Sequence, residues 1–128
     1  MPHFAMIALL VDDYDKAIDW YCTKLGFRLH EDTDRGNGKR WVIIGPRGEQ
    51  ETKLLLAKAT TEEQTSRVGN QTGGRVFLFL YTDDFWSDYN HMKAQGVQFI
   101  DQPREEEYGT VIVFEDLYGN KWDFIEPR

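Results

Sequence analysis

Residues 11–27, Val11-Asp12-Asp13-Tyr14-Asp15-Lys16-Ala17-Ile18-Asp19-Trp20-Tyr21-Cys22-Thr23-Lys24-Leu25-Gly26-Phe27, decide how the chain begins to fold. Tyr14, Ala17, Ile18, Tyr21 and Leu25 recur at helical spacing on one face. Asp13 stands where a side chain can cap free N–H groups, and Gly26 stands where a left-handed residue ends a helix. Upstream, residues 4–11 are apolar and branched until Asp12-Asp13 stops them, and they read as a buried strand. Downstream, residues 27–31, 40–44 and 52–58 read as three short strands. The turn sequences Asp34-Arg35-Gly36-Asn37-Gly38 and Gly45-Pro46-Arg47-Gly48 separate them. The order is strand, helix, and three strands.

The same order then returns. Residues 60–73 are polar, with Gly69-Asn70-Gln71-Thr72-Gly73 at their end, and read as a helical turn followed by a flexible connection. Residues 75–81 form a strand, Asp83 is placed to cap a helix with Phe85, Tyr89 and Met92 on its inner face, and Gly96 closes it 70 positions after Gly26. Residues 97–100, 110–114 and 120–125 supply three more strands, with Leu117-Tyr118-Gly119-Asn120 as a hairpin turn. The fold class is therefore α+β, two βαβββ modules at about 1–59 and 74–128 joined by a linker at 60–73 in one domain. Each sheet carries a helix on one face only, so the two modules are expected to form a curved mixed sheet around a cavity lined by alternate strand residues.

Composition narrows the function. With 22 acidic and 15 basic residues the net charge is −7, which repels phosphate backbones and anionic lipid, so neither nucleic acid nor a membrane surface is an expected partner. No apolar run reaches the ~20 residues that span a bilayer, and the first residues lack the basic stretch of a signal peptide. The one cysteine, Cys22, cannot form an internal disulfide; a reducing, cytoplasmic setting is expected. Gly69, Gly73 and Gly74 lack the lysine and the strand-to-helix context of a phosphate loop. The histidines His3, His30 and His91 show no metal-binding spacing and read as surface groups.

Two stretches carry a family resemblance: residues 11–21 with Leu25-Gly26-Phe27, and Phe114-Glu115-Asp116-Leu117-Tyr118-Gly119-Asn120-Lys121-Trp122-Asp123-Phe124-Ile125. In this order and spacing the chain resembles the vicinal oxygen chelate superfamily, which includes glyoxalase I, bleomycin-resistance and fosfomycin-resistance proteins and extradiol dioxygenases. The resemblance implies a glyoxalase-like fold and a homodimer with two cavities. In metal-using members it also implies a divalent ion held by His and Glu side chains. At the four corresponding places this chain has Met6, Leu55, Arg75 and Asp123, so one possible oxygen ligand of four survives. A thioether, an alkyl chain and a guanidinium cannot replace the ligands that a divalent ion requires. No metal and no other cofactor is therefore expected, and an Arg75–Asp123 ion pair is expected in the metal's place.

The remaining candidates each admit two readings. Arg75 shares a face with Phe77 and Phe79 by period-two alternation and would suit an anionic or planar ligand there, or else it ends its strand in solvent. Trp41 is either a stacking wall or core. Tyr108, before Gly109, either closes over a cavity mouth or points from a loop into solvent. Glu115 reads as a turn-shaping residue and not as an acid-base group, and Cys22 as a structural thiol. Together these imply a small-molecule binding protein similar to the bleomycin-resistance branch, binding or sequestering a ligand without a metal through Arg75, Asp123, Phe77, Phe79, Trp41, Tyr108 and Met6. The alternative is a glyoxalase-type lyase or isomerase, or a dioxygenase, with an atypical metal site or with Asp123 as general base beside Arg75. Whether the protein is an enzyme stays open at this point. A third reading is an interaction module whose cavity is filled by side chains.

Overall fold

The first helix starts where it does because of Asp13. In the computed structural model, which describes all 128 residues, Asp13 is extended and its carboxylate accepts the Lys16 N–H at 2.9 Å, capping α1 (Tyr14–Lys24). At the other end Gly26 takes a φ of +69°, which lets Phe27 return its N–H to the Tyr21 carbonyl at 3.3 Å. The chain forms two compact units, Met1–Val68 and Gly69–Arg128.

In the first unit a four-stranded sheet has the order β1-β4-β3-β2. It is built from β1 (Met6–Val11), β2 (Arg28–Gly36), β3 (Lys39–Gly45) and β4 (Lys53–Lys58). β1 runs parallel to β4, and the other pairings are antiparallel. Leu9, Val42, Ile44, Leu54 and Leu56 are buried on one face, together with Ala17 and Tyr21 of α1. Each of these leucine, valine and isoleucine side chains contributes roughly 1.5–3 kcal/mol through burial. The expectation of a fully buried strand at residues 4–11 is corrected: Phe4 is 82% exposed, the strand begins at Met6, and Leu9 and Val11 are its only fully buried residues. The reason is position, since β1 is an edge strand with β4 as its single neighbour. Within the connecting stretch, α2 occupies Glu62–Arg67. Thr61 caps it by accepting the Gln64 N–H at 3.1 Å, and the Gln64 side-chain oxygen takes the Thr60 N–H at 2.8 Å.

The second unit repeats the plan with β5 (Val76–Tyr81), α3 (Phe85–Ala94), β6 (Gln98–Glu106), β7 (Gly109–Glu115) and β8 (Lys121–Pro127), in the sheet order β5-β8-β7-β6. Its core is aromatic: Phe85 stacks on Tyr89 at 5.7 Å and meets Phe124 at 5.6 Å, while Phe114 stacks on Trp122 at 5.5 Å. The helix cap is Asp84, not Asp83. The Asp84 N–H bonds the Thr82 hydroxyl at 3.0 Å and its carboxylate accepts the Ser87 N–H at 3.4 Å, so the turn leaving β5 delays the helix by one residue. Glu126 adds a second partner by accepting the Phe85 N–H at 2.7 Å.

Two features of this unit escape periodicity. Between Val76 and Leu78 the pairing of β5 with β8 shifts by one residue, a bulge at Phe77. The hairpin from β7 to β8 is centred on Asp116, 5% exposed, whose carboxylate accepts from the Tyr118 and Asn120 backbones and from the Asn120 amide. No helix is long and apolar enough to cross a membrane.

Candidate ligand cleft and the uncovered sheet faces

The strand pleat sorts the first sheet into two faces. Register places Ala8, Ile43 and Leu55 side by side, alternating with the buried Leu9, Val42, Leu54 and Leu56, and so on the face that α1 leaves uncovered. Where β1 and β4 end and β3 begins, a cleft of about 430 Å³ opens. Leu10, Leu55, Ala57 and Trp41 supply its apolar wall, Tyr14 and Gln64 line it from α1 and α2, and Lys39, Arg40 and Lys58 also face it.

Arg40 is locked in place. Its Nε and Nη2 donate to the two oxygens of Asp32 at 3.1 and 2.7 Å, Nη2 also reaches Asp15 at 2.9 Å, and the guanidinium lies 5.1 Å from the Tyr14 ring centroid. These bonds hold the Asp32 carboxyl below its ordinary value and raise the guanidinium further above its own. Trp41 is half-buried, with the Arg35 guanidinium 5.7 Å from its ring centroid. Trp41 thus lines the cleft and is not interior core.

On the second sheet the uncovered face carries Asp123. It pairs in register with Phe79 on one side and Val113 on the other, alternating with the buried Trp122 and Phe124. Burial pushes the Asp123 carboxyl up, and the cation that opposes this is Arg104. The expected Arg75–Asp123 ion pair does not form: Arg75 lies one residue before β5, exposed and outside the salt bridges of the structure. The expected common face of Arg75, Phe77 and Phe79 is also corrected. The bulge breaks the alternation, Phe77 turns its ring edge-on to Trp122 at 6.3 Å, and Phe79 stays 64% exposed.

Tyr108 lies in the turn between β6 and β7, 55% exposed, beside Arg104, which also binds Glu106 at 3.1 Å. Met6 sits at the start of β1 opposite Lys53 and is not part of the cleft wall. Sequence reasoning passed over Lys39, Lys58 and Arg40. Their only signal was position at strand ends, which acquires meaning once β3 and β4 are paired. Cys22 is half-buried and burial raises its thiol pKa, as suits a structural group.

The fold family implies a divalent metal, and the residues here do not fit one. No three His, Cys, Asp or Glu side chains are grouped to hold an ion. Met6 and Leu55 offer no oxygen or imidazole, Arg75 offers only N–H donors, and Asp123 is a lone carboxylate.

A family model described as the Glyoxalase/Bleomycin resistance protein/Dioxygenase superfamily matches residues 3–124. The chain belongs to that superfamily. A protein of Shewanella frigidimarina (strain NCIMB 400) is similar to the chain at 57% identity over 121 residues, covering 94% of this chain and 90% of its own length. The crystal structure of UcmS2 superposes with a TM-score of 0.85 at 25% identity, with 98% of each chain covered. TnmS3, an antibiotic binding protein from Streptomyces sp. CB03234, superposes with a TM-score of 0.79 at 28% identity over 100% of this chain and 98% of its own. With the family model matched and both structures superposing over nearly the whole chain, the glyoxalase-like fold expected from the two sequence repeats stands.

Proposed function

We propose that this superfamily member is a small-molecule binding protein that holds or sequesters an organic ligand without a metal. The observation that carries the reading is the donor set at the superfamily's metal positions, where Met6, Leu55 and Arg75 leave Asp123 as the single possible oxygen ligand. The cleft of the first unit, with Trp41 against an aliphatic wall, supports it as a place for a ligand of drug-like size. The likeness to TnmS3, an antibiotic binding protein, supports it further. Phe79 and Asp123 are proposed as additional ligand contacts on the uncovered face of the second unit. The protein is proposed to work as a homodimer in the cytoplasm, which sedimentation and cell fractionation test.

The deciding experiment is metal analysis of protein purified without chelators or a metal-affinity column, followed by titration with Ni²⁺, Zn²⁺, Mn²⁺ and Fe²⁺. No stoichiometric metal and no saturable uptake are expected. One tightly held ion per chain would overturn the reading.

One observation favours a second reading, a glyoxalase-type lyase or isomerase. Burial lifts the Asp123 carboxyl, the direction that suits a group exchanging a proton with substrate. Turnover of a methylglyoxal hemithioacetal, lost in Asp123→Asn, would establish it.

A further inference from the structure

The charge lining the cleft of the first unit is opposite in sign to that of the protein. The chain has 22 acidic and 15 basic residues, yet Lys39, Arg40 and Lys58 line the cleft and no acidic side chain does. Arg40 is already matched by Asp15 and Asp32 at 2.9 and 2.7 Å. Lys39 and Lys58 carry no ion pair. Lys39 opens β3 and Lys58 closes β4; because these strands are antiparallel neighbours, both lysines stand at one end of the sheet, Lys39 on the face of Trp41 and Lys58, two residues after the buried Leu56, on the face of α1. Trp41 lies two residues further along β3, with Leu55 and Ala57 beside it in the same wall.

Resting on the reading of a ligand-binding protein, we infer that this cleft takes a planar aromatic anion, its ring system against Trp41 and the aliphatic wall and its acidic group beside Lys39, at the sheet end where Lys58 adds positive charge. An aromatic ligand gains from burial against an indole, and an anionic group adds a second gain from the unmatched ammonium groups at the sheet end, a local positive charge against the net −7 that repels anions elsewhere. A cationic aromatic would lose the second gain and meet like charge at the rim. Lysines are point charges with no demand for two-pronged geometry, so a sulfonate, a carboxylate or a phenolate all suit them.

The test uses two dyes with the same rings, 1-anilinonaphthalene-8-sulfonate and its neutral counterpart N-phenyl-1-naphthylamine, each titrated by fluorescence into the full chain. The sulfonate is expected to bind roughly three- to tenfold more tightly at low salt, as one rim ion contact and a second nearby lysine allow. That gap should shrink in about 0.5 M sodium chloride. Lys39→Gln with Lys58→Gln should close the gap and leave the neutral dye unchanged, while Trp41→Ala weakens both dyes; circular dichroism checks that the variants fold.

Equal affinity for the two dyes, or a gap that survives the double substitution, overturns the inference while leaving a binding protein of another ligand class. Failure of both dyes to bind the unsubstituted protein overturns the cleft as an aromatic site. The metal analysis then decides the proposed function independently.

Discussion

The indole N–H of Trp122 donates to the carboxylate of Asp116 at 3.0 Å. This bond ties the buried face of β8 to the hairpin that leads into it, and the Asp116 oxygens also accept from Asn120 N and Nδ2 at 2.9 and 3.1 Å and from Tyr118 N at 3.0 Å. Both oxygens therefore face donors only. Asp116→Asn should destabilise the protein almost as much as Asp116→Ala, by about 2–4 kcal/mol, because an amide NH₂ would oppose existing donors in a buried site. Urea unfolding of the two variants checks this; an Asn variant of native stability would contradict it.

Gly69 and Gly73 have similar positive φ values, +80° and +69°, but different surroundings. A Cβ at Gly69 would overlap the Tyr118 carbonyl oxygen, while one at Gly73 would meet nothing. Gly73→Ala should cost only the conformational penalty of about 1 kcal/mol. Gly69→Ala should cost more than about 2 kcal/mol, since backbone must move. Melting temperatures measured side by side settle the ranking.

Asp32 gives a pH dependence of definite sign. Its hydrogen bonds from Arg40 hold its carboxyl below the ordinary 3.8. The unfolded chain thus binds the proton first, and the stability contributed is full above the ordinary value and lost as pH falls through the folded one. Asp32→Asn should lower stability by less than about 1 kcal/mol at neutral pH, as for a solvent-accessible pair. The difference from the unsubstituted protein should vanish at strongly acidic pH, as urea midpoints from pH 7 to pH 2 would reveal.

Asp123 behaves in the opposite sense. Burial raises its carboxyl above 3.8, so the folded chain binds the proton first and this residue's contribution falls as pH rises through that window. Asp123→Asn should be mildly stabilising at neutral pH, a sign that the position serves something other than stability. Carboxyl NMR titration, showing a midpoint above the ordinary value, is the direct check; a midpoint at or below it would remove the basis for this prediction.

Much of the fold could be read from local chemistry. Asp13, Gly26 and Gly96 mark helix ends through capping bonds and positive φ, both of which depend on the residue and its near neighbours. Local reading failed where a neighbour in space intervened. Asp83 stands where a cap is expected from sequence, but the Thr82 hydroxyl engages the Asp84 N–H and Asp84 takes the cap. The Arg75, Phe77 and Phe79 alternation looked regular until pairing with β8 introduced a bulge.

The sequence by itself determined that two βαβββ modules exist and marked their helix ends to within about a residue. These depend on side-chain type and short-range spacing. Tertiary structure alone decided that Arg104, not Arg75, is the cation opposing burial at Asp123, that Trp41 walls a cleft, and that Lys39 and Lys58 share its sheet end. Each of those joins residues from different strands or turns, and strand register, set by the packing of whole faces, is what brings such residues together.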